Sequence, residues 1–365
     1  MDSISANWSE MTIPQFEQFG KLLEDGLLLV DYDQHILYAN AQASALLSQK
    51  LAHNKLNKIF NNAGFGDILR NIKKKKHQHE FIYTHDTSVK RQFLIKIIYI
   101  SDHYCGILLM DMTLQRNLDK VRRDFVANVS HELRSPLTSL IGFIETLRSN
   151  DDIDDDNRSH FLSIMDEESR RMTRLIDDLI SLSRVEVEEH IIPDEKVRLR
   201  DIVLSVVEIL KDRASKQNVT LNFIDEFSDS NDIAVIRGDA DEVVEVIHNL
   251  VENALKYGYP NSIIDIRMSP MANKVVCSVT NQGDGIEARH IPRLTERFYR
   301  VDKARSREKG GTGLGLAIVK HIVNRHRGEL KIESKLGAET KFTVLFPIAG
   351  ETSEPKRGLR WLSKS

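Results

Sequence analysis

The chain has 365 residues, 41% of them hydrophobic and 29% charged, with a net charge of −3. The length allows two or three domains, and the composition excludes a disordered chain. Balanced charge excludes a general attraction to nucleic acid or acidic membrane, and two distant cysteines exclude a disulfide framework or a cysteine metal site.

Residues 1–14 form an N-terminal segment with neither the basic region nor the apolar core of a secretion signal. The most apolar runs, 27–30 and 93–100, fall short of the roughly 18 residues that span a membrane. Cys105 and Cys277 sit inside apolar runs and read as buried free thiols of a reducing compartment. The chain therefore reads as soluble and cytoplasmic. Residues 15–115 form a small α/β module. Within it, 24–40 reads as strand, Asp-rich turn and strand, 40–47 as a first helix, and 93–100 and 104–110 as two strands across a short polar turn. This opening resembles that of a PAS sensor domain. The run Lys73–Lys76 reads as a solvated helix end or loop.

Residues 116–190 read as two long helices. In the first, Leu118, Val121, Phe125, Val129, Leu133, Leu137, Leu140, Ile144 and Leu147 recur at gaps of three or four, the period of one helix face. Taking Val129 as the centre of that stripe, His131 lies roughly 200° away at 100° per residue, on the solvent side. Glu132 adjoins it, and Ser135 and Thr138 follow on the same outer side. An exposed histidine beside a carboxylate can act as a nucleophile, with the base drawing off its proton. The acidic run 151–156 breaks the helix, and Asp156 or Asn157 is placed to cap the second one. That helix carries Phe161, Met165, Met172, Leu175, Leu179 and Leu182 at helical spacing. One hairpin cannot bury both stripes well, whereas two hairpins make a four-helix bundle, so a homodimer is expected. Residues 191–195 form a hinge, with Pro193 stopping continuous helix.

From 196 to 350 helices (200–215, 240–256) alternate with strands (220–224, 262–268, 274–280, 330–333, 341–346). This suits a two-layer α/β sandwich. The tail 351–365 reads as disordered. Gly310-Gly-Thr312-Gly313-Leu314-Gly315 opens directly into an apolar helix. Glycines let a backbone approach phosphate closely, and a helix N-terminus offers free N–H groups. Upstream, Asn249, Asn253, Lys256 and Tyr257 share a helix face. An amide oxygen there can ligate Mg²⁺, and Lys256 can neutralise phosphate charge. A third element, Asn281-Gln-Gly283-Asp-Gly285, ends a strand in a tight turn. Residues 294–300 follow, and the charged stretch 301–309 is placed to close over a bound nucleotide.

The histidine segment, the Asn-rich helix, the Gly-Asp-Gly turn, the Glu296-Arg-Phe-Tyr-Arg300 segment and the Gly-Thr-Gly-Leu-Gly loop resemble, in order and spacing, the H, N, G1, F and G2 boxes of bacterial sensor histidine kinases. The stretch 291–311 is most similar to the phosphate-regulon sensor kinase subgroup. The resemblance implies an α+β multidomain protein: a PAS-like module, a dimeric four-helix-bundle phosphoacceptor domain and an α/β-sandwich ATPase domain. It implies that His131 accepts the γ-phosphoryl group of ATP with Glu132 as its base. It also implies that Asn253 holds Mg²⁺ with Asn249 and Lys256 near the phosphates, and that Tyr257 packs on the adenine or closes the site. The glycine loop, with Gly313 and Gly315, would embrace the phosphates, and a response-regulator aspartate would receive the phosphoryl group.

Two residues depart from the pattern. Asn281 stands where the family has an aspartate that accepts a bond from the adenine amine, so weaker ATP binding is expected, because charge-assisted bonds are about twice as strong as neutral ones. Ser135 stands where the subgroup usually has threonine, at the position that orients a water for dephosphorylating the regulator, so a reduced phosphatase activity is expected. The subgroup's N-terminal membrane spans have no counterpart here. A non-catalytic, nucleotide-gated interaction module is the competing reading, favoured by Asn281 alone.

Overall fold

The computed structural model describes residues 13–48, 50–51, 54–60, 64–85, 90–149, 153–227, 234–302 and 311–349. The expectations for 1–12, 303–309 and 351–365 lie outside those residues. The chain divides into two compact units, Met1–Val126 and Ala127–Ser365.

The first unit is a five-stranded antiparallel sheet with helices packed on it. Its elements are α1 (Ile13–Leu22), β1 (Gly26–Asp31), β2 (Ile36–Ala39), α2 (Ala41–Leu46), α3 (Leu56–Ile59), α4 (Phe65–Lys75), β3 (Gln78–His85), β4 (Arg91–Tyr99) and β5 (Tyr104–Asp111). The strand order is β2-β1-β5-β4-β3. The strand–turn–strand and helix read from 24–47 are present, and Asn40 explains why they hold together. Its buried amide oxygen accepts from the N–H of Leu27 (2.9 Å) and of Ala43 (2.8 Å), which caps α2. Its amide nitrogen donates to the carbonyls of Gly20 and Asp25, both at 2.9 Å. A buried side-chain amide is tolerated because its donors and acceptors are satisfied in this way. One face of the sheet and α2–α4 enclose a core that includes Leu28, Ile36, Phe60, Phe65, Leu69, Phe93 and Ile107. On the other face, Phe16 of α1 packs with Leu27, Leu29 and Ile100.

The second unit contains the rest of α5 (Thr113–Ser149) and α6 (Asp155–Glu188), followed by an α/β sandwich. Glu132 faces Arg171, and the rings of Phe143 and Phe161 lie 5.3 Å apart. The paired residue numbers rise on one helix as they fall on the other, so the hairpin is antiparallel. The cap of α6 is Asp154, whose carboxylate accepts from the N–H of Asn157 (2.7 Å). It is neither Asp156 nor Asn157, because the helix starts at Asp155 and places both inside its first turn. Pro136 lies within α5, where its missing N–H leaves the carbonyl of Glu132 without its helical donor. Val121, Val126, Leu137, Ile141 and Ile144 on α5, and Leu162, Ile176, Ile180 and Val187 on α6, are exposed apolar side chains.

The sandwich comprises β6 (Glu195–Arg198), α7 (Leu199–Lys216), β7 (Thr220–Asp225), β8 (Val235–Gly238), α8 (Ala240–Tyr257), β9 (Ile263–Met271), β10 (Lys274–Gln282), α9 (Gly315–Arg325), β11 (Glu329–Lys335) and β12 (Glu339–Pro347). The main sheet runs β11-β12-β10-β9-β7, with β7 parallel to β9 and the other pairs antiparallel. The short pair β6–β8, unread in the sequence, forms a separate ribbon. Val243, Val246, Ile247, Leu250 and Val251 of α8 and Ile318, Val319 and Ile322 of α9 are completely buried. Both thiols are free and buried, and burial pushes Cys105 and Cys277 up to about 12, which keeps them inert. Among the described residues no helix is long and apolar enough to cross a membrane.

Candidate active site

Helix α8 begins where the Asp239 carboxylate accepts from the N–H of Glu242 (3.2 Å). Its apolar face sinks into the sandwich, leaving Asn249, Asn253, Lys256 and Tyr257 along one wall of a cavity of about 570 Å³. Asn281, Gly283, Gly285, Thr312, Gly313 and Gly315 line the same cavity. Of the nucleotide-site residues read from the sequence, only Leu314 does not line the cavity: it is fully buried. Two glycines are required by the backbone. Gly285 has φ of +71°, and a Cβ there would collide with the Lys335 carbonyl; a Cβ on Gly315 would collide with Oδ1 of Asn249.

The cavity fits a magnesium nucleotide. Asn253 borders it, and its amide makes no hydrogen bond to another described residue. That donor suits Mg²⁺, which takes few protein ligands and shares phosphate oxygens. Lys256 is mostly buried and pairs with Glu252 (3.2 Å), which also receives Arg213 (2.7 Å). Burial alone would raise the Glu252 carboxyl, but Lys256 and Arg213 outweigh it and hold the group below its usual range.

His131 is exposed on α5, and so is Ser135 one turn later. Neither lines the cavity. The bridge between them and the cavity is Arg300, which borders the cavity and reaches Glu132, the neighbour of His131, at 3.4 Å. Arg171 of α6 meets the same carboxylate oxygen at 3.2 Å. Glu132 is thus clamped between two arginines in this arrangement. The segment carrying Arg300 is itself fixed: Phe298 N–H donates to the carbonyl of Gly313 (2.8 Å), and Tyr299 lies 2.5 Å from His290 Nδ1 and under the Arg293 guanidinium.

The sequence reading missed the contribution of α6. Arg174, Asp177 and Asp178 line the cavity, and the Thr312 hydroxyl donates to Asp178 at 2.6 Å. Further along α6, Ser181 donates to Glu245 (2.7 Å), Glu186 meets Arg297 (2.6 Å), and Glu189 meets His321 (2.9 Å). Glu188 reaches Arg325 (2.9 Å), which also pairs with Glu242. Helical spacing places Asp178 one turn from Arg174 and Leu182, but no local pattern marks it as a partner of Thr312. Burial pushes the Asp178 carboxyl up from its usual value, against the opposing pull of the Thr312 bond and Lys256. Stability carried by a raised acid is present at low pH and lost as pH rises through that raised value. Asp178→Asn keeps an acceptor for Thr312 without the charge. It should raise the melting temperature by a few degrees at neutral pH and have little effect below pH ~4, as calorimetry across pH would show. An equal gain at both pH values would mean that ionisation is not the cause.

Residues 238–350 match the histidine kinase-, DNA gyrase B- and HSP90-like ATPase family, and residues 121–188 match the His kinase A phospho-acceptor domain. Over 356 residues the chain is 31% identical to the phosphate regulon sensor protein PhoR of Pseudomonas aeruginosa, covering 95% of this chain and 77% of that protein. The chain belongs to the sensor histidine kinases. Another sensor kinase, WalK of Staphylococcus saprophyticus, is 36% identical over 242 residues, covering 66% of this chain and 39% of its own length. The histidine kinase AdeS of Acinetobacter baumannii, a solved structure, aligns with TM-score 0.47 and 21% identity over 60% of this chain and 98% of that one. As a protein-histidine kinase, the chain has α5 from residue 121 onward and all of α6 within the phospho-acceptor match, and α8 to β12 within the ATPase match.

Proposed function

We propose that this sensor kinase phosphorylates itself on His131 from ATP bound in the cavity and passes the phosphoryl group to an aspartate of a response regulator, in signalling linked to phosphate supply. The observation that carries this reading is the Arg300–Glu132 contact, which joins the edge of the nucleotide cavity to the residue beside an exposed histidine. Lys256 and Arg300 would balance phosphate charge, Asn253 would hold Mg²⁺, and the glycine loop would approach the phosphates with its backbone. Mg²⁺ would supply charge neutralisation on the transferred group, and positioning would supply most of the rest of the rate.

The exposed apolar side chains on α5 and α6 support a homodimeric bundle, in which a second hairpin would cover them. The five-stranded sheet and the Asn40 hub support a PAS-like sensor over 15–115, although the limits read from the sequence fall inside elements: 15 within α1, 116 within α5 and 195 at the start of β6. Similarity to the phosphate regulon sensor protein along most of the chain supports the phosphate link.

The test is transfer and release. Labelled full-length chain, mixed with the response regulators of its organism, should lose label to one of them within seconds to minutes. Regulators that all stay unlabelled while His131 stays phosphorylated would refute the proposal. Ser135 governs the reverse reaction. Serine has the same donor and acceptor capacity as threonine but lacks the β-methyl group that restricts χ1, so its hydroxyl is less firmly aimed. With ADP present, Ser135→Thr should speed regulator dephosphorylation several fold, and Ser135→Ala should nearly stop it. Release by the alanine variant at the parent rate would remove Ser135 from this role.

A further inference from the structure

The floor of the cavity carries a pair of buried polar side chains that differ in kind from a carboxylate. Asn281 on β10 is 4% exposed, and Thr340, directly opposite it on β12, is 6% exposed; both line the cavity. The Thr340 hydroxyl lies 2.7 Å from the Ser334 hydroxyl. Ser334 already accepts the N–H of Ile286 (2.9 Å) and spends its one proton on the carbonyl of Glu339 (3.1 Å). Thr340 must therefore donate to Ser334, which leaves the Thr340 oxygen as an acceptor toward the cavity.

Asn281 is the ambivalent member of the pair. A carboxylate only accepts, so at this position it would bind a base amino group and repel a base carbonyl. An amide has one accepting and one donating end of nearly equal shape. Its nitrogen donates to the Gln282 carbonyl across a long 3.3 Å, so turning the amide over gives up one weak bond and turns the oxygen toward that carbonyl. Oxygen-inward, Asn281 accepts from the 6-amino group of adenine. Nitrogen-inward, it donates to the 6-oxo group of guanine or hypoxanthine, and the Thr340 oxygen can accept the adjacent N1–H. A site rejects an analogue strongly when a buried polar group facing it is left unpaired or opposed; here the end of Asn281 that faces the cavity can pair with either purine class, at the cost of the long bond to the Gln282 carbonyl.

We infer that this kinase takes 6-oxopurine nucleoside triphosphates as phosphoryl donors alongside ATP, and that Asn281 is the residue that admits them. The inference rests on the nucleotide-dependent kinase reading above and names the substrate class of that same cavity. The chemistry at the phosphates is unaltered by the base. A His131 ring nitrogen forms the N–P bond, and the bond from the γ phosphorus to the β–γ bridging oxygen breaks. Its electron pair leaves on the nucleoside diphosphate, and the proton on the other ring nitrogen passes to a base.

The experiment compares γ-labelled ATP and γ-labelled GTP on the full chain, parent and Asn281→Asp, reading acid-labile label and its initial rate. The parent should use both, with kcat/KM values within about tenfold of each other. Asn281→Asp should gain about fivefold with ATP, from a charge-assisted bond, and lose at least about a hundredfold with GTP, from an opposed base carbonyl. The gain with ATP also shows that the variant is folded. If it is inactive with both, competition by unlabelled GTP or ITP against ATP labelling of the parent decides the matter: competition in the ATP concentration range supports the inference. A parent that uses ATP and neither uses nor is inhibited by GTP overturns it while the kinase reading stands. Equal GTP use by parent and variant removes Asn281 as the cause and overturns the assignment. A parent labelled by neither nucleotide overturns the kinase reading and this inference together.

Discussion

Replacing His131 with alanine abolishes acid-labile phosphorylation of the full chain and leaves nucleotide affinity within about threefold of the parent. The size of the first effect follows from chemistry: a phosphoramidate on the ring nitrogen has no substitute acceptor in alanine. The smallness of the second follows from placement. His131 is exposed on α5 and does not border the cavity. Substitutions at such surface positions usually change stability by no more than about 0.5 kcal/mol, so the variant should fold and dock normally. The measurement is label retained after acid and after alkali treatment of separate aliquots. Hydroxyl esters survive acid and phosphoramidates do not, so acid-labile label persisting on the alanine variant would place the acceptor at another histidine.

Asn253→Ala should cut autophosphorylation by at least about a hundredfold, the rate equivalent of roughly 3 kcal/mol. The substitution removes a hard oxygen facing the cavity and nothing that α8 needs. Alanine is the better helix former, so the helix is if anything reinforced. The loss should therefore appear in turnover, with the melting temperature unchanged or slightly raised. Titrating Mg²⁺ at fixed ATP separates metal binding from folding: the variant should need far more metal for its residual rate. A variant with parental activity and a parental magnesium curve would show that Asn253 is not the ligand.

The long-period parts of the fold were readable because their signal repeats. α5 and α6 each carry an apolar stripe over many turns, the strands β4, β5 and β10 carry apolar runs bounded by turns, and β9 alternates buried with more exposed residues. The short ribbon β6–β8 was not readable, since four residues such as Glu195–Arg198 carry too few alternations to stand out. β3 could have been found. His79, Phe81, Tyr83 and His85 alternate with more exposed neighbours at the period of two that a strand imposes. The cap at Asp154 was ambiguous because several adjacent aspartates share the same chemistry, and only the backbone selects one. That residues of α8 and the glycine loops line one cavity was foreshadowed by their local motifs. What escaped was the reach between distant segments: Glu132 to Arg171 and Arg300, and Asp178 to Thr312, are separated by 39, 168 and 134 positions. No periodicity relates such pairs; the closed fold brings them together.

The seam between α6 and the sandwich consists largely of hydroxyl, carboxylate and guanidinium contacts, with Asp178, Ser181, Glu186, Glu188 and Glu189 supplying one side. The more exposed pairs among them trade one another for water at small net cost, whereas the buried Arg325 and the buried Leu175, Leu182 and Val185 of α6 make opening costlier. The partly exposed Glu186–Arg297 and Glu189–His321 pairs along this joint should weaken as salt is raised, and the buried Arg325 contact should weaken less.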